Sequence, residues 1–190
     1  VRCDNTVKEG WWYEGGGVYG SASLIVADHA MLVEDGTFVR SEQTPCGDWT
    51  LYMEIAADVP ANQGKLRIMS AALGIDSMIP ADRQNTFACK VSGVSPWDIE
   101  NPWLYPITIQ LICNGEVLDE TTVRHGFRSI RFDADNGFFL NEQPIKLKGV
   151  CIHHDFAGVG IAIPYQIQRY RIERLKEMGC NAIRTSHNPQ

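Results

Sequence analysis

The apolar residues of this chain change their spacing once, near residue 127, and that change limits the fold more than any other feature. From residue 28 to 126 they recur at every second position in short runs separated by turn residues, the pattern of half-buried strands. Thr50 to Val59 is the clearest case, with Leu51, Met53 and Ile55 on one face and Tyr52 and Glu54 on the other. Further runs are Thr37 to Arg40, Lys65 to Ala72, Thr86 to Val91, Tyr105 to Cys113 and Val117 to Val123. The last two flank Asn114-Gly115, a dipeptide that accepts positive φ at both positions and so favours a two-residue hairpin. Roughly seven strands in about 100 residues predict an immunoglobulin-like β-sandwich.

Beyond residue 127 the pattern is of another kind. Gly137 to Pro144 reads as a β-hairpin, and Ile145 to Ile152 as a strand that ends at His153-His154-Asp155. Pro164 opens a helix running to Met178, with Ile172, Leu175 and Met178 as its apolar stripe and Gly179 where a helix commonly stops. Asn181 to Ser186 is a second strand. Strand, helix, strand with a tight turn predicts a right-handed βαβ unit. Parallel sheets are normally covered on both sides, so the expectation is a cut through a larger α/β domain. At the other end, the aromatic and glycine-rich patch Trp11 to Gly20 and the apolar run Leu24 to Ala27 predict a loop feeding one strand. That strand belongs either to the next domain or to one whose beginning is missing.

Composition narrows the class. Across 190 residues, 17 basic side chains face 23 acidic ones, a net charge of -6, and no Lys/Arg cluster exceeds two residues, which argues against a nucleic-acid partner. No apolar run approaches the ~20 residues of a bilayer span, so no membrane role is expected. The N-terminus carries no basic n-region or apolar h-region, and localisation stays open, soluble, with periplasm and secretion among the destinations. Six scattered cysteines form no C-x-x-C pair and are expected to be mostly buried small apolar residues.

The chemistry gathers at two places. In an α/β barrel, working residues project from the C-terminal ends of the parallel strands. Here His153, His154 and Asp155 follow the first strand, and Arg184, Ser186, His187 and Asn188 surround the end of the second. Side by side, they would make a rim able to hydrogen-bond a polyol or to position carboxylates from other strands. Taken singly, each reads as a turn, surface or ion-paired residue. His153, His154 and His187 lack the i, i+4 spacing of a helical zinc motif, and neither a metal nor a cofactor is expected.

The runs Lys148-Gly149-Val150-Cys151-Ile152-His153-His154-Asp155 and Gly179-Cys180-Asn181-Ala182-Ile183-Arg184-Thr185-Ser186-His187-Asn188-Pro189 closely resemble the start of the catalytic barrel in family-2 glycoside hydrolases, the β-galactosidase and β-glucuronidase group. Upstream, Trp12-Tyr13 through Val18-Tyr19 resembles the end of that family's jelly-roll domain, and Trp97 to Tyr105 a segment of its immunoglobulin-like domain. The resemblance implies three pieces: residues 1–27 as the end of the jelly roll, 28–126 as the sandwich, and 127–190 as the first βαβ of a (β/α)8 barrel. It implies a retaining exo-β-glycosidase, most simply a β-galactosidase, with β-glucuronidase and β-mannosidase as alternatives. Two carboxyl groups about 5 to 5.5 Å apart do that chemistry, and the resemblance puts both beyond residue 190, leaving no catalytic residue in this stretch. Asn141-Glu142 mimics the family's acid/base dipeptide but precedes the first barrel strand and is rejected as catalytic. The resemblance further implies that Asp155 contacts sugar hydroxyls, that His153 and His187 line the sugar subsite, with Asn188 beside them, and that Arg184 orients the nucleophile's carboxylate. At Cys151 many members carry Asn. Implied partners are a carbohydrate and the other domains of the same polypeptide. From a different class, a self-standing sandwich could bind carbohydrate or protein through Trp11, Trp12, Trp97 and Trp103.

Overall fold

A computed structural model describes residues 2, 4, 17–27, 29–60 and 63–186. The chain divides into two units, one spanning Val26–Lys146 and the other comprising Val1–Ile25 with Leu147–Gln190. No described helix is long and apolar enough to cross a membrane.

The Val26–Lys146 unit opens with seven strands: β1 (Met31–Gln43), β2 (Trp49–Asp58), β3 (Gly64–Ser70), β4 (Ile75–Pro80), β5 (Gln84–Val91), β6 (Tyr105–Cys113) and β7 (Glu116–His125). They form two antiparallel sheets of order β1-β2-β5 and β4-β3-β6-β7, an immunoglobulin-like sandwich. Alternation builds its core. Leu51, Met53, Ile55 and Ala57 of β2 point inward between outward Tyr52 and Glu54, and they meet Leu66 and Ile68 of β3 with Ile107, Ile109 and Leu111 of β6. Burial of each of these Leu, Ile and Met side chains contributes about 1.5–3 kcal/mol of transfer free energy. Asn114 and Gly115 both take positive φ, 53° and 85°, so the β6–β7 hairpin forms as expected. The strand β4 is not among the runs that the sequence pattern marks; Arg67 Nε and Nη2 fork onto the Asp76 carboxylate at 2.8 and 2.7 Å and pin this edge strand to β3. That pair holds the Asp76 carboxyl below its ordinary range. The sheets are also joined between β1 and β7, where the Leu32 N–H donates to Asp119 Oδ2 at 2.7 Å and His125 Nε2 lies 2.9 Å from Ser41 Oγ.

Phe127 closes one end of this core. Fully buried, it meets Trp49, Tyr105 and His125 edge-on at centroid distances of 5.6, 5.5 and 4.9 Å. Its carbonyl accepts the Trp97 N–H at 2.8 Å, and Gly126 lets the Trp97 indole approach, since a Cβ there would lie 3.0 Å from its Cδ1. A small antiparallel sheet follows, of β8 (Ile130–Asp133), β9 (Gly137–Leu140) and β10 (Gln143–Pro144). Asn141 and Glu142 form the β9–β10 turn with φ of 49° and 60°. Asn141 also exchanges hydrogen bonds with Ser129 and donates to the Trp97 carbonyl at 3.0 Å, while Glu142 accepts from Arg131. The dipeptide is thus a structural turn.

Two expectations fail. Leu24 to Ala27 forms no strand and stands in water, with Leu24 88% exposed, because an isolated strand has no ladder partner for its backbone groups. None of the five described cysteines is fully buried. Cys89 and Cys113 pack only at the margin of the core, where burial pushes the Cys89 thiol up, and Cys46 occupies an exposed turn.

Phe127→Ala is expected to destabilise the sandwich by about 3–5 kcal/mol, read as a lowered urea midpoint, because the aromatic cluster cannot collapse into the space. Burial first, and the Arg128 charge second, push the His125 imidazole below its ordinary pKa. The unfolded chain then binds the extra proton as pH falls below about 6.5, so the stability associated with neutral His125 is full above that pH and lost below it. Urea midpoints measured between about pH 7.5 and 5 should fall with pH, and His125→Gln, which keeps a polar partner for Ser41 without titrating, should flatten that slope.

Candidate functional site

The unit containing Leu147–Gln190 carries two short strands, β11 (Gly149–Ile152) and β12 (Ala182–Thr185), and the helix α1 (Tyr165–Glu177). The strands are parallel, with Gly149 opposite Ala182, Val150 opposite Ile183, Cys151 opposite Arg184 and Ile152 opposite Thr185. Gly149 is required by close approach, since a Cβ there would lie 2.7 Å from the Ala182 carbonyl oxygen. Asn181 sets the register: its Oδ1 accepts the Lys148 N–H at 2.8 Å and its own N–H donates back to the Lys148 carbonyl at 2.9 Å. The helix stops as expected. Gly179, at φ 84°, donates to the Lys176 carbonyl at 2.9 Å and Cys180 donates to the Leu175 carbonyl at 3.0 Å, the paired bonds of a Schellman turn. The first strand is shorter than expected, because Ile145 to Lys148 forms none. The stripe of α1 meets no core: Met178 is 74% exposed and no helix residue is buried.

This pairing brings the two polar clusters to the same end of the sheet. The Ser186 N–H donates to the Ile152 carbonyl at 2.9 Å, carrying the ladder one step past β12, and Ser186 itself is buried. His153 is half-buried, His154 buried and Asp155 exposed. Arg171 of α1 donates through Nη2 to the His153 carbonyl at 2.9 Å, and its guanidinium lies 5.7 Å from the Phe156 ring. The helix thereby holds the loop that carries His153 and Asp155. Arg184 is exposed and directs Nη1 to Cys151 Sγ at 3.7 Å. His187 and Asn188 lie outside the described residues. Among the described residues no group of His, Cys, Asp and Glu is placed to hold a metal ion.

Sequence reasoning passed over Arg171 and marked Cys151 only as a departure from the Asn that many family members carry. The alternation of a strand offers a signal for Cys151, which precedes His153 by two and so shares its face. Arg171 offered none, because its acceptor is a backbone carbonyl.

The profile of glycosyl hydrolases family 2 matches residues 42–128, and that of the family's TIM barrel domain matches residues 133–190. The chain belongs to glycosyl hydrolase family 2. Along its whole length it is 30% identical to a β-galactosidase of Bacteroides ovatus and spans 24% of that protein. Over 48% of the chain it is 42% identical to a β-glucuronidase of Bacteroides fragilis, covering 13% of it. A crystal structure of a β-glycosidase from Bacteroides vulgatus superposes with a TM-score of 0.73 at 31% identity, over 87% of this chain and 22% of that one. The chain thus spans a quarter or less of the length of these family-2 relatives, and β11, α1 and β12 lie within the segment matched by the barrel profile.

Gly149→Ala would force β11 and β12 apart at the Ala182 carbonyl. It is expected to speed hydrogen exchange at the Ser186 amide by about tenfold or more, since the lost opening free energy exceeds about 1.4 kcal/mol.

Proposed function

We propose that this chain is a segment of a retaining exo-β-glycosidase that removes terminal β-linked sugars, β-galactose first among them, and that the ends of β11 and β12 form part of its sugar-binding rim. One observation carries the reading: in a family-2 chain, the parallel register of Cys151 with Arg184 and Ile152 with Thr185 puts His153 and Asp155 at the same strand ends as Arg184 and Ser186. In this arrangement His153 and Asp155 hydrogen-bond sugar hydroxyls, joined by His187 and Asn188. Arg184 presents its planar guanidinium to the nucleophile's carboxylate, a group suited to bidentate contact. The two catalytic carboxyl groups come from the remaining barrel strands. One is protonated to release the leaving group and the other attacks the anomeric carbon. The relatives named β-galactosidase and β-glucuronidase support hydrolysis of a β-glycoside. Residues 28–126 serve as the sandwich between the end of a jelly roll (1–27) and the opening of the barrel (127–190).

A binding platform on the sandwich is the weaker reading. The Arg128 guanidinium lies 4.7 Å from the Trp97 ring centroid, occupying one face of the half-buried indole, Trp103 is exposed, and Trp11 and Trp12 lie outside the described residues.

The 190-residue chain alone should hydrolyse nitrophenyl β-galactoside no faster than buffer, and turnover by the pure chain would overturn the placement of the carboxyl groups. The longer polypeptide should turn over the same substrate, with Arg184→Ala lowering kcat by about 100-fold or more, the scale of losing one preorganised charge contact. Preference of that polypeptide for the β-glucuronide would transfer the assignment to the uronic sugar.

A further inference from the structure

We propose that Cys151 is a positioning residue for Arg184, its sulfur anchoring one arm of the guanidinium so that the remaining N–H groups are aimed out of the strand end. The inference rests on the reading of these strand ends as a sugar rim. Cys151 and Arg184 are direct register partners on adjacent parallel strands, and such partners project from the same face of the sheet about 5 Å apart. Arg184 Nη1 reaches Cys151 Sγ at 3.7 Å.

The choice of sulfur has a physical consequence. A neutral thiol is a weak acceptor, whereas a carboxylate in its place would form a fork with the guanidinium, take two of its donors and neutralise its charge. Among the described residues the sulfur is the acceptor that Arg184 meets, and no carboxylate of theirs pairs with it. The anchor therefore restricts the rotamers of a long side chain while spending one arm of the guanidinium and none of its charge. The Nε–Nη2 edge stays free for two parallel bonds to a carboxylate supplied by another strand. Alanine at 151 would leave Arg184 its charge but return its rotameric freedom.

The test uses the intact glycosidase with nitrophenyl β-galactoside as probe. Cys151→Ala is expected to lower kcat about five- to tenfold, the worth of one ordinary hydrogen bond, since sulfur is a weak acceptor, with KM changed less than about twofold. Cys151→Ser, whose hydroxyl can accept the same N–H, should recover most of the loss. Introduced into Arg184→Ala, the Cys151→Ala change should cost nothing further, because its effect passes through the arginine. Additive losses in the double variant, or a serine variant no better than alanine, would overturn the positioning role while leaving the rim in place. An Arg184→Ala enzyme with unchanged kcat would bring down both the rim assignment and the inference built on it.

Discussion

The interleaving of β2 and β6 side chains between two sheets is the interaction on which the sandwich depends. Leu51, Met53 and Ile55 from one sheet and Ile107, Ile109 and Leu111 from the other are all essentially inaccessible to water, so one slipped residue in either strand would turn an entire apolar row outward. Register is therefore fixed by burial, and the hairpin at Asn114-Gly115 fixes it again through backbone geometry. Phe127 extends this core beyond the last sandwich strand. Through its carbonyl and the glycine before it, it also sets the Trp97 loop, and Asn141 ties that loop to the β9–β10 turn. A chain of packing and hydrogen bonds thus runs from the sandwich interior to the small sheet that follows it.

The strand pair of the other unit is organised by polar contacts. Gly149 allows a close approach, Asn181 sets the register, and the Schellman turn at Gly179 delivers the chain directly into β12. These devices act through the backbone, and their combined result is to align two strand ends. That alignment brings residues distant in sequence to one end of the strand pair, and it puts a cysteine beside an arginine.

Much of this was legible in particular residues. The alternation of Thr50 to Val59, the Asn-Gly hairpin and the helix stop at Gly179 each follow from local chemistry that acts within a few residues. The edge strand β4 was hidden because it is only six residues long and ends in proline, and a cross-strand ion pair with Arg67 reinforces its pairing. The cysteines were misjudged because hydrophobic character alone does not say which side chains reach the centre of a core. Leu24 to Ala27 misled for the opposite reason, since strand propensity without a partner satisfies no backbone hydrogen bond. At the site, His153, Asp155 and Arg184 stood out by residue type and by position at strand ends, whereas Arg171 acts on a carbonyl that no sequence pattern marks.

By itself the sequence determined the sandwich, the βαβ unit and the family, because periodicity, turn chemistry and two contiguous motifs are local properties. Only the tertiary structure decided that Cys151 faces Arg184, that Arg171 holds the His153 loop and that Phe127 joins three aromatic rings. Those contacts depend on strand register and on side-chain reach across distances that spacing along the chain does not encode.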